Sequence, residues 1–66
     1  MVIWINGVAR EVADDARVLD ALDALGLPQV GVAVAVNGEV VPKVRWAEAA
    51  LADGARVEVL TAVQGG

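Results

Sequence analysis

Hydrophobic and polar positions change their period repeatedly along this chain. It opens on β-forming residues in VIWING, and the Asn6-Gly7 pair that closes this run is a hairpin signal, because a type I′ turn needs positive φ at both central positions. VAREV then returns as a second strand. In DDARVLDALDALG the period lengthens: Val18, Leu22 and Leu25 fall at i, i+4 and i+7, Leu19 lies beside them, and Asp20 and Asp23 take the opposite side. That spacing predicts an amphipathic helix. Asp14 and Asp15 stand where acidic groups cap a helix and complement its dipole, Gly26 stands where a left-handed residue ends one, and Pro28 forbids continuation.

GVAVAVNGEVVP repeats the grammar of the first hairpin, with a strand over residues 32–36, a second Asn-Gly pair at 37–38 and a short return that Pro42 stops. KVRWAEAALADG has no clean period. It predicts a short helical turn packed by Trp46 and Leu51, and a turn at Asp53-Gly54 that launches a last strand, RVEVLT. The predicted order is β-β-α-β-β-β, an α+β fold in which one main helix crosses one face of a mixed sheet of four to five strands. The first and last strands can then lie side by side as a parallel pair.

Alternation also assigns faces. If Ile3 and Ile5 face the helix, Val2 and Trp4 face away; if Val57 and Val59 face in, Arg56, Glu58 and Leu60 face out. Ala33 and Ala35 join the open face when Val34 and Val36 face the core. The expectation is an apolar patch with Trp4 and Leu60 as exposed neighbours, and contiguous patches of this kind mark partner sites more often than a single exposed Leu does. The alternative is that Trp4 folds over the edge of the core.

Composition narrows the chemistry. The chain is 58% hydrophobic but only 3% aromatic, so Val, Leu, Ile and Ala must build the core, and with 66 residues there is room for one small domain. It contains no Cys, no His and no Ser, and Thr61 is its only hydroxyl side chain. The usual general base near neutral pH, the commonest zinc ligand and the thiolate nucleophile are all missing, which argues against a self-contained catalytic site. Asp20 and Asp23 lack further ligands and read as a solvated helix face, Lys43 reads as exposed, and Trp46 reads as core. A net charge of −4 disfavours nucleic acid and suits a partner with a basic face. The absence of an 18-residue apolar run and of a basic leader makes a soluble, cytoplasmic protein the expectation.

The chain ends in AVQGG. Taken with GVAVAVNGEVVP, with Trp46 four residues on, with DGARVEVL and with the early Asn-Gly pair, this ending resembles the ThiS family of sulfur carriers in thiamine biosynthesis, and the resemblance covers nearly the whole chain. It implies a β-grasp, ubiquitin-like fold over residues 1–61 with a flexible tail over 62–66. It implies further that the terminal carboxylate of Gly66 is adenylated by a ThiF-type enzyme using ATP and magnesium, converted to a thiocarboxylate with sulfur from a donor protein, and used to deliver that sulfur to thiazole synthase. The chain would bind no cofactor stably and catalyse nothing itself. Ala62, Val63, Gln64, Gly65 and Gly66 would enter the partner's active site, while Val2, Trp4, Leu60, Ala33 and Ala35 would form the docking face. Glycine suits the last two positions because a chain without Cβ lets a narrow channel close around it, and residues 61–66, if extended, reach at most about 20 Å.

One position departs from the family: members usually carry Thr or Ser where this chain has Arg17, so Asp15 is the expected substitute cap. Three other readings stay open at this level. The small subunit of molybdopterin synthase also ends in Gly-Gly but typically has a Pro-Pro pair where this chain reads Thr61, Ala62 and Val63. A ubiquitin-like modifier is another. A plain protein-binding module, with an inert tail, would tolerate loss of Gly65 and Gly66 where a carrier would not.

Overall fold

The computed structural model describes residues 1–61. Strands β1 (Val2–Ile5) and β2 (Val8–Glu11) form the first hairpin, helix α1 (Val18–Ala24) follows, and β3 (Val32–Val36) and β4 (Glu39–Val41) form the second. A single 3-10 turn (Lys43–Arg45) leads to the last strand, β5 (Arg56–Thr61). The five strands make one sheet in the order β2-β1-β5-β3-β4, with β1 and β5 parallel and the other neighbours antiparallel. Element order and the parallel central pair are those the hydrophobic pattern predicts.

Both Asn-Gly turns take the backbone that their residues favour. Asn6 and Gly7 have φ of 50° and 84°, and Asn37 and Gly38 have φ of 52° and 87°. Pro42, which has no N–H to offer a ladder, ends β4 and opens the 3-10 turn.

Helix α1 buries Val18, Ala21 and Leu22 against Ile3, Ile5, Val34, Val57 and Val59, so one face of the sheet and one stripe of the helix form the core. Trp46 and Leu51 close the core from the crossover between β4 and β5, and the indole Nε1 of Trp46 donates to the carbonyl of Val41 at 2.9 Å. A buried indole N–H without that acceptor would cost stability. At the C-terminal end of α1, Gly26 (φ 66°) donates to the carbonyl of Asp23 at 3.0 Å and Leu27 to that of Leu22 at 2.9 Å. This is a Schellman motif, and it needs the left-handed residue that Gly26 supplies.

The start of α1 differs from the expectation. The N-cap is Arg17 itself, and neither Asp14 nor Asp15 caps the helix; Asp20, read from sequence as part of a solvated face, turns back so that its Oδ2 accepts the Arg17 backbone N–H at 2.8 Å. This is the reach-back half of a capping box, with Asp serving where Glu is usual. Arg17 instead sends its guanidinium to the carbonyl of Glu48 at 3.2 Å. Asp14 bonds the Met1 ammonium at 2.8 Å, which also donates to the carbonyl of Val12 at 2.9 Å. That hydrogen bond, reinforced by the charge across it, holds the Asp14 carboxyl below and the Met1 amine above their ordinary ranges. Asp23 accepts a hydrogen bond from Gln29. None of the helices among the described residues is long and apolar enough to cross a membrane.

Candidate docking face and tail exit

Strand β5 positions the candidate site. It lies at the centre of the sheet, between β1 and β3, and Thr61 at its end is the last described residue. The predicted tail residues Ala62, Val63, Gln64, Gly65 and Gly66 lie outside the described residues. Alternation along β5 sends Val57 and Val59 into the core and leaves Arg56, Glu58, Leu60 and Thr61 exposed.

The face away from the helix carries every predicted docking residue. Val2 and Trp4 stand on it from β1, Leu60 from β5, and Ala33 and Ala35 from β3. Trp4 is 45% exposed, so it does not fold over the core edge. The arrangement within the face differs from the expected single patch. The parallel register pairs Trp4 with Arg56, whereas Leu60 pairs with Ala33 and Glu58 with Ala35. Leu60 therefore lies four residues beyond the partner of Trp4, roughly 13 Å along the strand, and the two are not neighbours. Strand β1 has already turned at Asn6 by that point, because the hairpin is too short to follow β5 to its end.

Two apolar groups result, separated by Arg56 and Glu58. The first is Trp4 with Val2. The second is Leu60 with Ala33 and Ala35, and it includes a residue that the sequence reading missed: Val40, 74% exposed, is the cross-strand partner of Ala35 and shares its face. The signal for Val40 was present, since a two-residue turn fixes register and Val41, its neighbour, pairs with the buried Val34. This second group stands where β5 ends.

Side-chain amides hold β5 from both flanks. On the β3 side, Asn37 Oδ1 accepts the Arg56 backbone N–H at 2.9 Å while the Asn37 backbone N–H donates to the Arg56 carbonyl at 2.7 Å. On the β1 side, Asn6 Oδ1 accepts the Val59 N–H at 2.9 Å and its Nδ2 donates to the Val59 carbonyl at 3.1 Å.

The chemistry that this face can perform alone is recognition. Two shallow clefts lie alongside α1, and neither is lined by Trp4, Leu60, Ala33 or Ala35. Among the described residues no group of three or more carboxylates, His or Cys could hold a metal ion.

The family model described as "ThiS family" matches residues 3–66. The sulfur carrier protein ThiS of Escherichia coli (strain K12) is 32% identical over 66 residues, spanning 100% of both chains. The crystal structure of a thiamine biosynthesis protein (ThiS) from Geobacter metallireducens superposes with a TM-score of 0.84 at 33% identity, covering 100% of each chain. A solution NMR structure of a thiamine biosynthesis protein from the same organism gives a TM-score of 0.79 at 33% identity, over 100% of this chain and 88% of that one.

Proposed function

The chain belongs to the ThiS family, has its ubiquitin-like β-grasp fold and is a sulfur carrier of thiamine biosynthesis rather than a catalyst; from this premise we propose that its working group is the carboxylate of Gly66. Family membership implies sulfur-transfer partner enzymes. The proposed ones are a ThiF-type adenylyltransferase, a sulfur donor protein and thiazole synthase.

In the first step a carboxylate oxygen of Gly66 attacks the α-phosphorus of ATP and pyrophosphate leaves. An α-carboxyl is ionised at neutral pH, so the oxygen is available once the partner's metal and basic groups have neutralised the phosphates. The donor's persulfide sulfur then attacks the activated carbonyl and AMP departs; a thiol of a partner enzyme next attacks the donor-side sulfur of the resulting acyl disulfide, forming a disulfide with the donor and releasing the thiocarboxylate. Every catalytic group belongs to a partner, in keeping with a chain that has no Cys, His or Ser. ATP and magnesium are used by the activating enzyme, and on this reading the carrier binds neither stably.

The observation that supports this reading is the place where β5 ends. The central strand ends at Thr61, beside the exposed Leu60, so a partner that grips Leu60, Ala33, Ala35 and Val40 holds the body next to the point where residues 62–66 begin. Ordering a tail on binding costs roughly 1 to 2 kcal/mol per residue, and the apolar contacts of the body offset it.

The test is the intact mass after incubation with the activating enzyme, magnesium, ATP and a sulfur source. Replacement of one oxygen by sulfur is expected, and its absence in protein lacking Gly66 assigns it to the terminus. An unchanged mass with an enzyme shown to be active would overturn the reading.

A further inference from the structure

The parallel ladder between β1 and β5 runs through Trp4 N–H to the Ala55 carbonyl at 2.8 Å and Asn6 N–H to the Val57 carbonyl at 2.9 Å. Its next rung would need β1 to continue, but the chain reverses at Asn6 and Gly7 to form β2. Val59 is buried, and its peptide groups face the flank that β1 has vacated. The Asn6 amide fills this gap. Its Oδ1 and Nδ2 present one acceptor and one donor to Val59, as a further peptide of β1 would have done. The same residue has φ of 50°, which Asn tolerates better than most side chains, so one position meets two separate demands.

We infer that Asn6 is a positioning residue for the carrier reaction: its amide extends the β1 rail to Val59 and thereby helps fix the end of β5, the point from which the chain continues to Gly66. This rests on the carrier reading above and adds a residue that acts through Val59. Without the clamp, the end of β5 is held from the β3 flank alone, where Val59, Leu60 and Thr61 pair with Val34, Ala33 and Val32, and capture of the carboxylate must order about one further residue's worth of backbone freedom. The loss then appears in capture of the protein and not in the chemistry that follows.

Asn6→Gly keeps the positive φ and the turn while removing both side-chain bonds. Hydrogen exchange followed by NMR is expected to show the Val59 amide exchanging about tenfold faster, with exchange elsewhere in the sheet unchanged. In adenylation by the ThiF-type enzyme, the KM for the carrier should rise about fivefold to thirtyfold while kcat changes little. Asn6→Asp retains the acceptor for Val59 N–H and the turn, and should give a KM between those of the native protein and Asn6→Gly.

An unchanged Val59 exchange rate, or faster exchange with an unchanged KM, would overturn the assignment. If Asn6→Gly loosens the whole sheet, Asn6→Asp decides: a KM no better than the glycine variant's overturns the role, and an intermediate one supports it. A native protein that is not adenylated overturns the carrier reading and this role with it, whereas normal adenylation of both native protein and Asn6→Gly overturns this role alone.

Discussion

Trp4 stands across from Arg56 on the open face of the sheet, and Leu60 lies beyond the end of the strand that carries Trp4. The docking surface therefore has two apolar ends with a charged middle, Arg56 and Glu58, between them. A partner that covers both ends must also satisfy those two charges, which confers specificity more than affinity.

This separation makes the two ends energetically independent. Leu60→Glu, which puts a charge into the group beside the tail exit, should weaken binding to the activating enzyme at least about tenfold. Trp4→Ala should cost a similar amount, and because the sites are more than about 10 Å apart the double variant should show the sum of the two within about 0.5 kcal/mol. Leu60 is 69% exposed, so its substitution should leave Tm nearly unchanged. Titration calorimetry with the four proteins measures this. Strong coupling between the positions would mean that one contact spans both ends.

The helix start yields a second prediction, because the acid that closes it is not the one nearest in sequence. Asp20→Ala removes the acceptor of the Arg17 N–H and should lower stability by about 1 kcal/mol. Asp15→Ala should be nearly neutral. For a domain of this size the difference corresponds to roughly 4 to 8 °C in Tm. Thermal unfolding of the two variants side by side checks the assignment, and equal losses would return the capping role to Asp15.

The Met1–Asp14 pair makes stability respond to pH at both extremes. Asp14 has a lowered carboxyl pKa because it accepts the ammonium hydrogen bond, so its contribution is full above the ordinary carboxyl range and disappears as pH falls through the lowered value. The Met1 amine is raised by the same bond, against a smaller opposing effect of desolvation, so its contribution is full below the ordinary amine range and disappears as pH rises through the raised value. Asp14→Asn should therefore reduce stability at neutral pH while leaving the strongly acid and strongly alkaline limits closer to those of the native protein. The pair is exposed on the Asp14 side, and added salt should shrink the neutral-pH difference. Urea midpoints across the pH range read this out, and parallel curves for the two proteins would deny the pair any role.

Local sequence alone specified the order of the elements of this protein, the inward face of its central strands and the chemistry it lacks. Asn-Gly pairs need only their own backbone preferences to make the two hairpins, Gly26 to end the helix, and strict alternation to send Ile3, Ile5, Val57 and Val59 inward. The Gly-Gly ending and the absence of Cys, His and Ser were likewise legible without coordinates, because they are matters of inventory. Tertiary structure decided what depends on offsets between strands distant in sequence. The register of β1 against β5 moved Leu60 away from Trp4 and brought Asn6 to Val59 across 53 positions of chain. The physical reason is that alternation repeats every two residues, so it fixes which face a side chain takes but is unchanged by sliding one strand past another in steps of two. Only the closing of the sheet around β5 removes that freedom.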